Sequence, residues 1–118
     1  MSGLRNVTFT SSGAGTLYGN GQAWWGFISY LVIGENRPRI LHVYNSTDLL
    51  LENWYFEQSP YWTTLWEDVA RLVIRYCHIN NRRNEADRHS LWNIGAFNTD
   101  GFDVSGRDVH IHDCHIWN

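Results

Sequence analysis

Three twelve-residue stretches of the chain superimpose without a gap: TDLLLENWYFEQ (47–58), ARLVIRYCHINN (70–81) and RDVHIHDCHIWN (107–118). Their apolar residues fall in columns. Leu49, Leu72 and Val109 share the first, and Leu51, Ile74 and Ile111 the second. Trp54, Cys77 and Cys114 make a third, and Phe56, Ile79 and Ile116 a fourth. Gln58, Asn81 and Asn118 close the copies, and RNVTFTSS (5–12) is a weaker copy with Val7 and Phe9 in the first two columns. Apolar–polar alternation runs to Leu51, Ile74 or Ile111, slips by one residue at Asn53, Tyr76 or Asp113, then resumes. On a straight strand that slip turns the second half outward, because side chains alternate faces with a period of two. A bend at the slip keeps both halves on one interior. The copies at 47 and 70 lie 23 residues apart. With twelve of those residues in the copy itself, no crossover helix fits, yet equal columns favour stacking. A solenoid of β coils stacked in parallel meets both conditions. The expectation is an all-β chain, one parallel β-helix domain over 1–118, with about five coils at ~23 residues each.

Stacking also orders the outward positions. Glu52, Arg75 and His112 become one surface ladder, and Tyr55, His78 and His115 another. The step from the copy at 70 to the copy at 107 is 37 residues, which implies an insertion of about fourteen residues. The polar run that opens NNRRNEADRHSLWNIGAF (80–97) is its expected place. Long loops on a rigid solenoid are where binding residues concentrate.

Composition narrows the partners. Hydrophobic residues make up 43% of the 118 residues and aromatics 15%, with seven Trp, which is the make-up of a packed chain rather than a disordered one. Charged residues are 18% and the net charge is −3, so no basic excess is available to neutralise nucleic-acid phosphates. No run of eighteen apolar residues spans a membrane, and the N-terminus lacks the apolar core of a signal peptide. Asn6-Val7-Thr8 and Asn45-Ser46-Thr47 fit the N-glycosylation acceptor pattern, making Asn6 and Asn45 candidate sites.

Cys77 and Cys114 share an inward column. They read as stacked small hydrophobes, with a disulfide as the alternative. HIHDCH (110–115) invites a metal reading. Zinc needs three or four convergent ligands, whereas a flat strand face spreads its side chains, so surface histidine ladders are expected and no metal. Trp24 and Trp25 in GQAWWGF are sugar-stacking or packing residues, and packing is the expectation.

FNTDGFD (97–103) puts Asp100 and Asp103 within one short stretch ahead of a repeat copy. Together with GTLYGNGQAWW (15–25) and RPRILHVYNSTDLLLENWYFEQSPYWT (37–63), the segment NTDGFDVSGRDVHIHDCHI (98–116) resembles family 28 glycoside hydrolases, the polygalacturonases and rhamnogalacturonases. The three segments occur in the family's order and cover nearly the whole chain. The resemblance implies a right-handed parallel β-helix and inverting hydrolysis of the α-linked galacturonic acid polymers of pectin. It assigns the activation of the attacking water to Asp100 and a substrate or hydrogen-bonding role to Asn98. Inversion needs one carboxyl as acid and one as base, with room for a water between them. Thr99, Gly101 and Asp103 are read as supporting residues, with the Asp103 carboxylate bonding backbone beneath the site and direct catalysis by Asp103 as the alternative. Arg82, Arg83, Arg88 and His89 are candidate substrate-binding residues of the insertion, matched to galacturonate carboxylates, or else part of a solvated charged loop.

The chain departs from the family pattern in four places. The family's general acid sits in an Asp-Asp pair just past the last repeat copy, where this sequence stops at Asn118. The Gly-His-Gly and Arg-Ile-Lys motifs are absent. Tyr18 stands where the family has an aspartate, and no His follows Trp62. The chain is therefore expected to be a truncated pectin hydrolase, inactive by itself and secreted by family resemblance. Its partner would be a polysaccharide, with no nucleic acid, membrane or cofactor. The other reading is a β-helix that binds carbohydrate without cutting it, or a degenerate remnant.

Overall fold

The computed structural model describes residues 1–25, 36–82 and 98–118. Strand β1 (Arg5–Tyr18) is followed by a short 3-10 turn at Gly21–Ala23. Then come β2 (Leu41–Glu57), β3 (Thr64–Arg75), β4 (His78–Asn80), β5 (Phe102–His112) and β6 (His115–Trp117). Every pairing among them is parallel: β1 on β2, β2 on β3, β3 on β5, with β4 joining β2 to β6. The chain is a partial parallel β-helix. The described residues form four coils rather than about five, because the steps from β1 to β2 and from β3 to β5 are longer than the 23-residue repeat.

The ladders reproduce the sequence columns. Val7 pairs with Leu49, Leu49 with Leu72, and Leu72 with Val109. Phe9, Leu51, Ile74 and Ile111 form the next rung series, and Phe56, Ile79 and Ile116 another. Leu49, Leu51, Phe56, Leu72, Ile74, Cys77 and Ile79 are buried in one core with Val43, Trp66 and Val69. Burial of such side chains contributes roughly 1.5–3 kcal/mol each before entropy is subtracted.

The slips are corners with a common backbone cause. Asn53, Tyr76 and Asp113 all have positive φ, at 62°, 54° and 52°. A left-handed residue turns the strand while the next side chain still faces inward, which is how alternation loses one step. Two further corners use the same device: Asn45 with Asp68, and Asn6, Asp48, Arg71 and Asp108. Most of these are Asn or Asp, the side chains that tolerate this conformation best after glycine. In β1 the corner is looser, since the register shifts between Thr10 and Gly15. There Ser11 Oγ bonds the Asn53 carbonyl and accepts from the Gly15 amide at 3.2 Å.

The outward ladders form as well. Arg75 reaches Glu52 at 2.7 Å, and the rings of Tyr55, His78 and His115 stack at centroid spacings of 6.1 and 5.0 Å. Cys77 and Cys114 are free thiols, each donating to the carbonyl two residues earlier. Trp25 packs inside with its indole N–H on the Ser59 carbonyl at 3.1 Å, while Trp24 is exposed.

Candidate active site

The first straight segment of each coil supplies a sheet of three strands: residues 41–44 of β2, 64–67 of β3 and 102–105 of β5. Val43, Trp66 and Val104 share its inward row, and Trp66 is fully buried. Parity then sends His42, Leu65 and Asp103 to the outer face, and Tyr44, Glu67 and Ser105 beside them. Asp100 is exposed at the entry to β5, two residues before its first strand residue.

The backbone of the Asp100 motif is held at three successive carbonyls. Asn81 Nδ2 donates to the Thr99 carbonyl at 2.7 Å, the Thr63 amide to that of Asp100 at 2.8 Å, and the Thr64 amide to that of Gly101 at 3.2 Å. Asn81 is 2% exposed and also bonds Thr63 Oγ1 and the Ser59 amide, both at 2.8 Å. Asn98 enters the motif with φ 54° and is exposed, whereas Thr99 is buried. At Gly101 a Cβ would stand 3.1 Å from Ile79 Cδ1 and 3.2 Å from Ile116 Cδ1, so packing on the fourth core column favours glycine there. These contacts present Asp100 from a fixed main chain, as a positioned carboxylate requires.

Asp103 sits differently from expectation. It is half-buried and makes no hydrogen bond to backbone among the described residues, and its Oδ2 is buried without a partner. Burial, and then the charge of Asp100, push its carboxyl above the usual aspartate range, against the pull of Arg39. Arg39 lies with its guanidinium 4.8 Å from the Trp62 ring centre and 5.1 Å from that of Tyr61, and its Nε is also buried without a partner. Tyr61 and Trp62 stack at 4.8 Å, and Arg37 stands 5.0 Å over Tyr61 while donating to the Pro60 carbonyl. On the same outer face His42 Nε2 meets Glu67 at 2.6 Å.

Of the sequence candidates, the structure gathers Asn98, Thr99, Asp100, Gly101 and Asp103 around the start of β5. Arg82 is engaged elsewhere, on Asn80 Oδ1 at 3.3 Å and over the Trp117 ring at 5.1 Å. Arg83, Arg88 and His89 lie outside the described residues. Asn6 and Asn45 are exposed corner residues, so their left-handed backbone already accounts for asparagine there. Tyr18 donates its hydroxyl to Gln58 at 2.9 Å, a packing and hydrogen-bonding role. No group of three metal-ligating side chains occurs among the described residues. Sequence reasoning missed Arg39, Tyr61, Trp62, His42 and Glu67. The parity of His42 and Glu67 in their strands was a usable signal. The approach of Arg39 to Asp103 had none.

Residues 1–118 match the protein family described as glycosyl hydrolases family 28. The chain belongs to this family. A curated relative, a putative galacturan 1,4-alpha-galacturonidase A of Aspergillus flavus, is 34% identical over 92 residues, 74% of this chain and 20% of the relative. This family 28 chain therefore spans about a fifth of the length of that relative. No solved structure matches it at comparable significance. Among the described residues of the family 28 chain, no helix is long and apolar enough to cross a membrane.

Proposed function

We propose that the chain is part of a pectin-degrading glycoside hydrolase that cleaves α-linked galacturonic acid polymers with inversion. The observation that carries this reading is the exposed Asp100 on a main chain tied down at Thr99, Asp100 and Gly101, in a family 28 chain. Asp100 acts as the base that draws a proton from the attacking water. Inversion requires a second carboxyl on the far side of the sugar, roughly 6.5–9.5 Å away. Asp103, whose carboxyl has its proton affinity raised first by burial and then by the charge of Asp100, supports the site by setting the field around it. Asn98 contacts the sugar beside the scissile bond. Arg83, Arg88 and His89 bind uronate carboxylates from the loop ahead of the motif, whereas Arg82 is held on Asn80 and Trp117.

The resemblance assigns the general acid to an Asp-Asp pair outside these 118 residues. The 118-residue chain by itself is accordingly inactive, since an acid catalyst alone contributes about 10²–10⁴-fold. Its natural setting is extracellular, where pectin is found. The test is release of reducing ends from polygalacturonate by the natural gene product that carries this sequence. Asp100→Asn should abolish release without altering the far-ultraviolet spectrum. Undiminished release by Asp100→Asn removes the assignment.

A further inference from the structure

A second polar concavity lies around the corner from the candidate active site. It is a groove of about 420 Å³ lined by Asn45, Ser46, Thr47 and Asp68, with Arg5, Arg71 and Arg107 among its walls. Its layout follows from the ladder register. Arg5 pairs with Thr47, Thr47 with Ala70, and Ala70 with Arg107, so these four residues form one row across the four coils. Three strand spacings of about 4.8 Å put the two terminal Cα atoms on the order of 14 Å apart. Between them the row holds only Thr47 and Ala70. The result is a trough with a small-residue floor and an arginine at each end.

The three arginines are not equivalent. Arg71 is committed: its Nε lies 2.5 Å from Asp48 Oδ1, and its Nη2 bonds both Asp48 Oδ2 and Thr47 Oγ1 at 2.7 Å. Arg5 and Arg107 are exposed, and neither makes a hydrogen bond or ion pair among the described residues. Asn45 places an exposed side-chain amide at the rim. The acid lining the groove is Asp68, which lies with Asn45 on the ridge shared with the shallow concavity of His42, Tyr44 and Glu67 on the first face. The trough therefore keeps two guanidinium groups without a hydrogen-bonded partner among the described residues, Arg5 within the field of Asp48, on a chain whose net charge is −3. Guanidinium forks suit planar carboxylates, and two of them spaced along a trough suit a ligand with repeated carboxylates. The Arg71 side chain crosses to Thr47 and Asp48 between the two arginines, and the open groove above it is the space for the backbone of such a ligand. The ring-lined recognition seen around Arg39 has no counterpart here, so charge and hydrogen bonding would carry the binding.

We propose that the trough between Arg5 and Arg107 is a secondary binding site for a carboxylate-bearing polysaccharide, a run of uronate residues, separate from the face that carries Asp100. The uronate identity rests on the function proposed above. The site holds the polymer on the flank of the solenoid and raises its local concentration at the catalytic face.

The experiment is affinity electrophoresis of the natural gene product in gels containing polygalacturonate, its fully methyl-esterified neutral form, or dextran sulfate. All forms carry Asp100→Asn so that the polymer stays intact. Polygalacturonate should retard the protein, and the R5Q/R107Q pair should weaken that retention roughly tenfold, as expected for two lost solvent-exposed ion pairs. Equal retention of the pair variant overturns the site. Equal retardation by the esterified polymer or by dextran sulfate overturns its uronate selectivity. Hydrolysis is measured separately on the pair variant with Asp100 restored. There kcat on a short oligogalacturonide stays unchanged, and a fall in kcat counts against a separate site. If the parent protein binds polygalacturonate through Arg5 and Arg107 but never cleaves it, the function proposed above fails while the site stands.

Discussion

The side-chain amide of Asn81 donates to the Thr99 carbonyl at 2.7 Å, joining the end of the third coil to the motif that presents Asp100. The same side chain accepts from the Ser59 amide at 2.8 Å, so one buried residue spans three segments. A buried amide in this position is specified by its partners, because each would otherwise lose a hydrogen bond without gaining water.

Asn81→Ala is expected to cost roughly 2–4 kcal/mol, since it removes the buried hydrogen bonds to the Ser59 amide, the Thr63 hydroxyl and the Thr99 carbonyl. Urea denaturation measures this. A midpoint within error of the parent's contradicts the bridging role. Asn81→Asp should also destabilise, because it keeps the acceptor for Ser59 but removes both donated bonds and adds a charge.

Asp103 makes stability depend on pH in a defined direction. Its folded-state pKa is raised above the ordinary 3.8, first by burial and then by Asp100. The folded state thus holds the proton more tightly than the unfolded chain. The associated stability is complete below the ordinary value and is lost as pH rises through the raised one. Asp103→Asn is expected to gain on the parent as pH rises from about 4 towards 7, with little difference in stronger acid. Urea midpoints across that range check it, and a gap that stays constant or reverses with pH refutes it.

Gly106 pairs with Val69 where the β3–β5 register shifts. A Cβ on Gly106 would stand 2.3 Å from the Val69 carbonyl oxygen, which is main chain and has no side-chain freedom to yield. Gly106→Ala is expected to destabilise by about 1–3 kcal/mol, the usual range for overpacking. Thermal unfolding followed by circular dichroism reads the effect, and an unchanged melting temperature would show that the coil shifts freely.

The core columns emerge at the surface on the last coil. Val109, Ile111 and Ile116 are 36%, 40% and 43% exposed, although their partners Leu72, Ile74 and Ile79 are buried. The 118-residue chain made alone is expected to self-associate through this end and the adjoining free strand edge. Sedimentation velocity tests this, with Ile111→Lys and Ile116→Lys together expected to shift the chain towards monomer. A monomeric parent with a cooperative melt contradicts the expectation.

The sequence alone determined the solenoid. Columns such as Leu51, Ile74 and Ile111 repeat because each coil must bury the same face, and an identical face can stack only in register. The corners were legible for a related reason: a left-handed residue at Asn53, Tyr76 or Asp113 leaves a one-residue slip in the alternation. The motif singled out Asp100 as the candidate carboxylate, and recurrence picked out the Gln58, Asn81 and Asn118 column. Tertiary structure decided what those positions meet. That Asn81 reaches Thr99, that Arg39 approaches Asp103, and that Arg5 and Arg107 flank one trough all depend on contacts between residues far apart in the chain. Periodicity records the face on which a side chain lies. It carries no record of which long-range neighbour shares that space, because the neighbour is fixed by how the coils and their connections pack together.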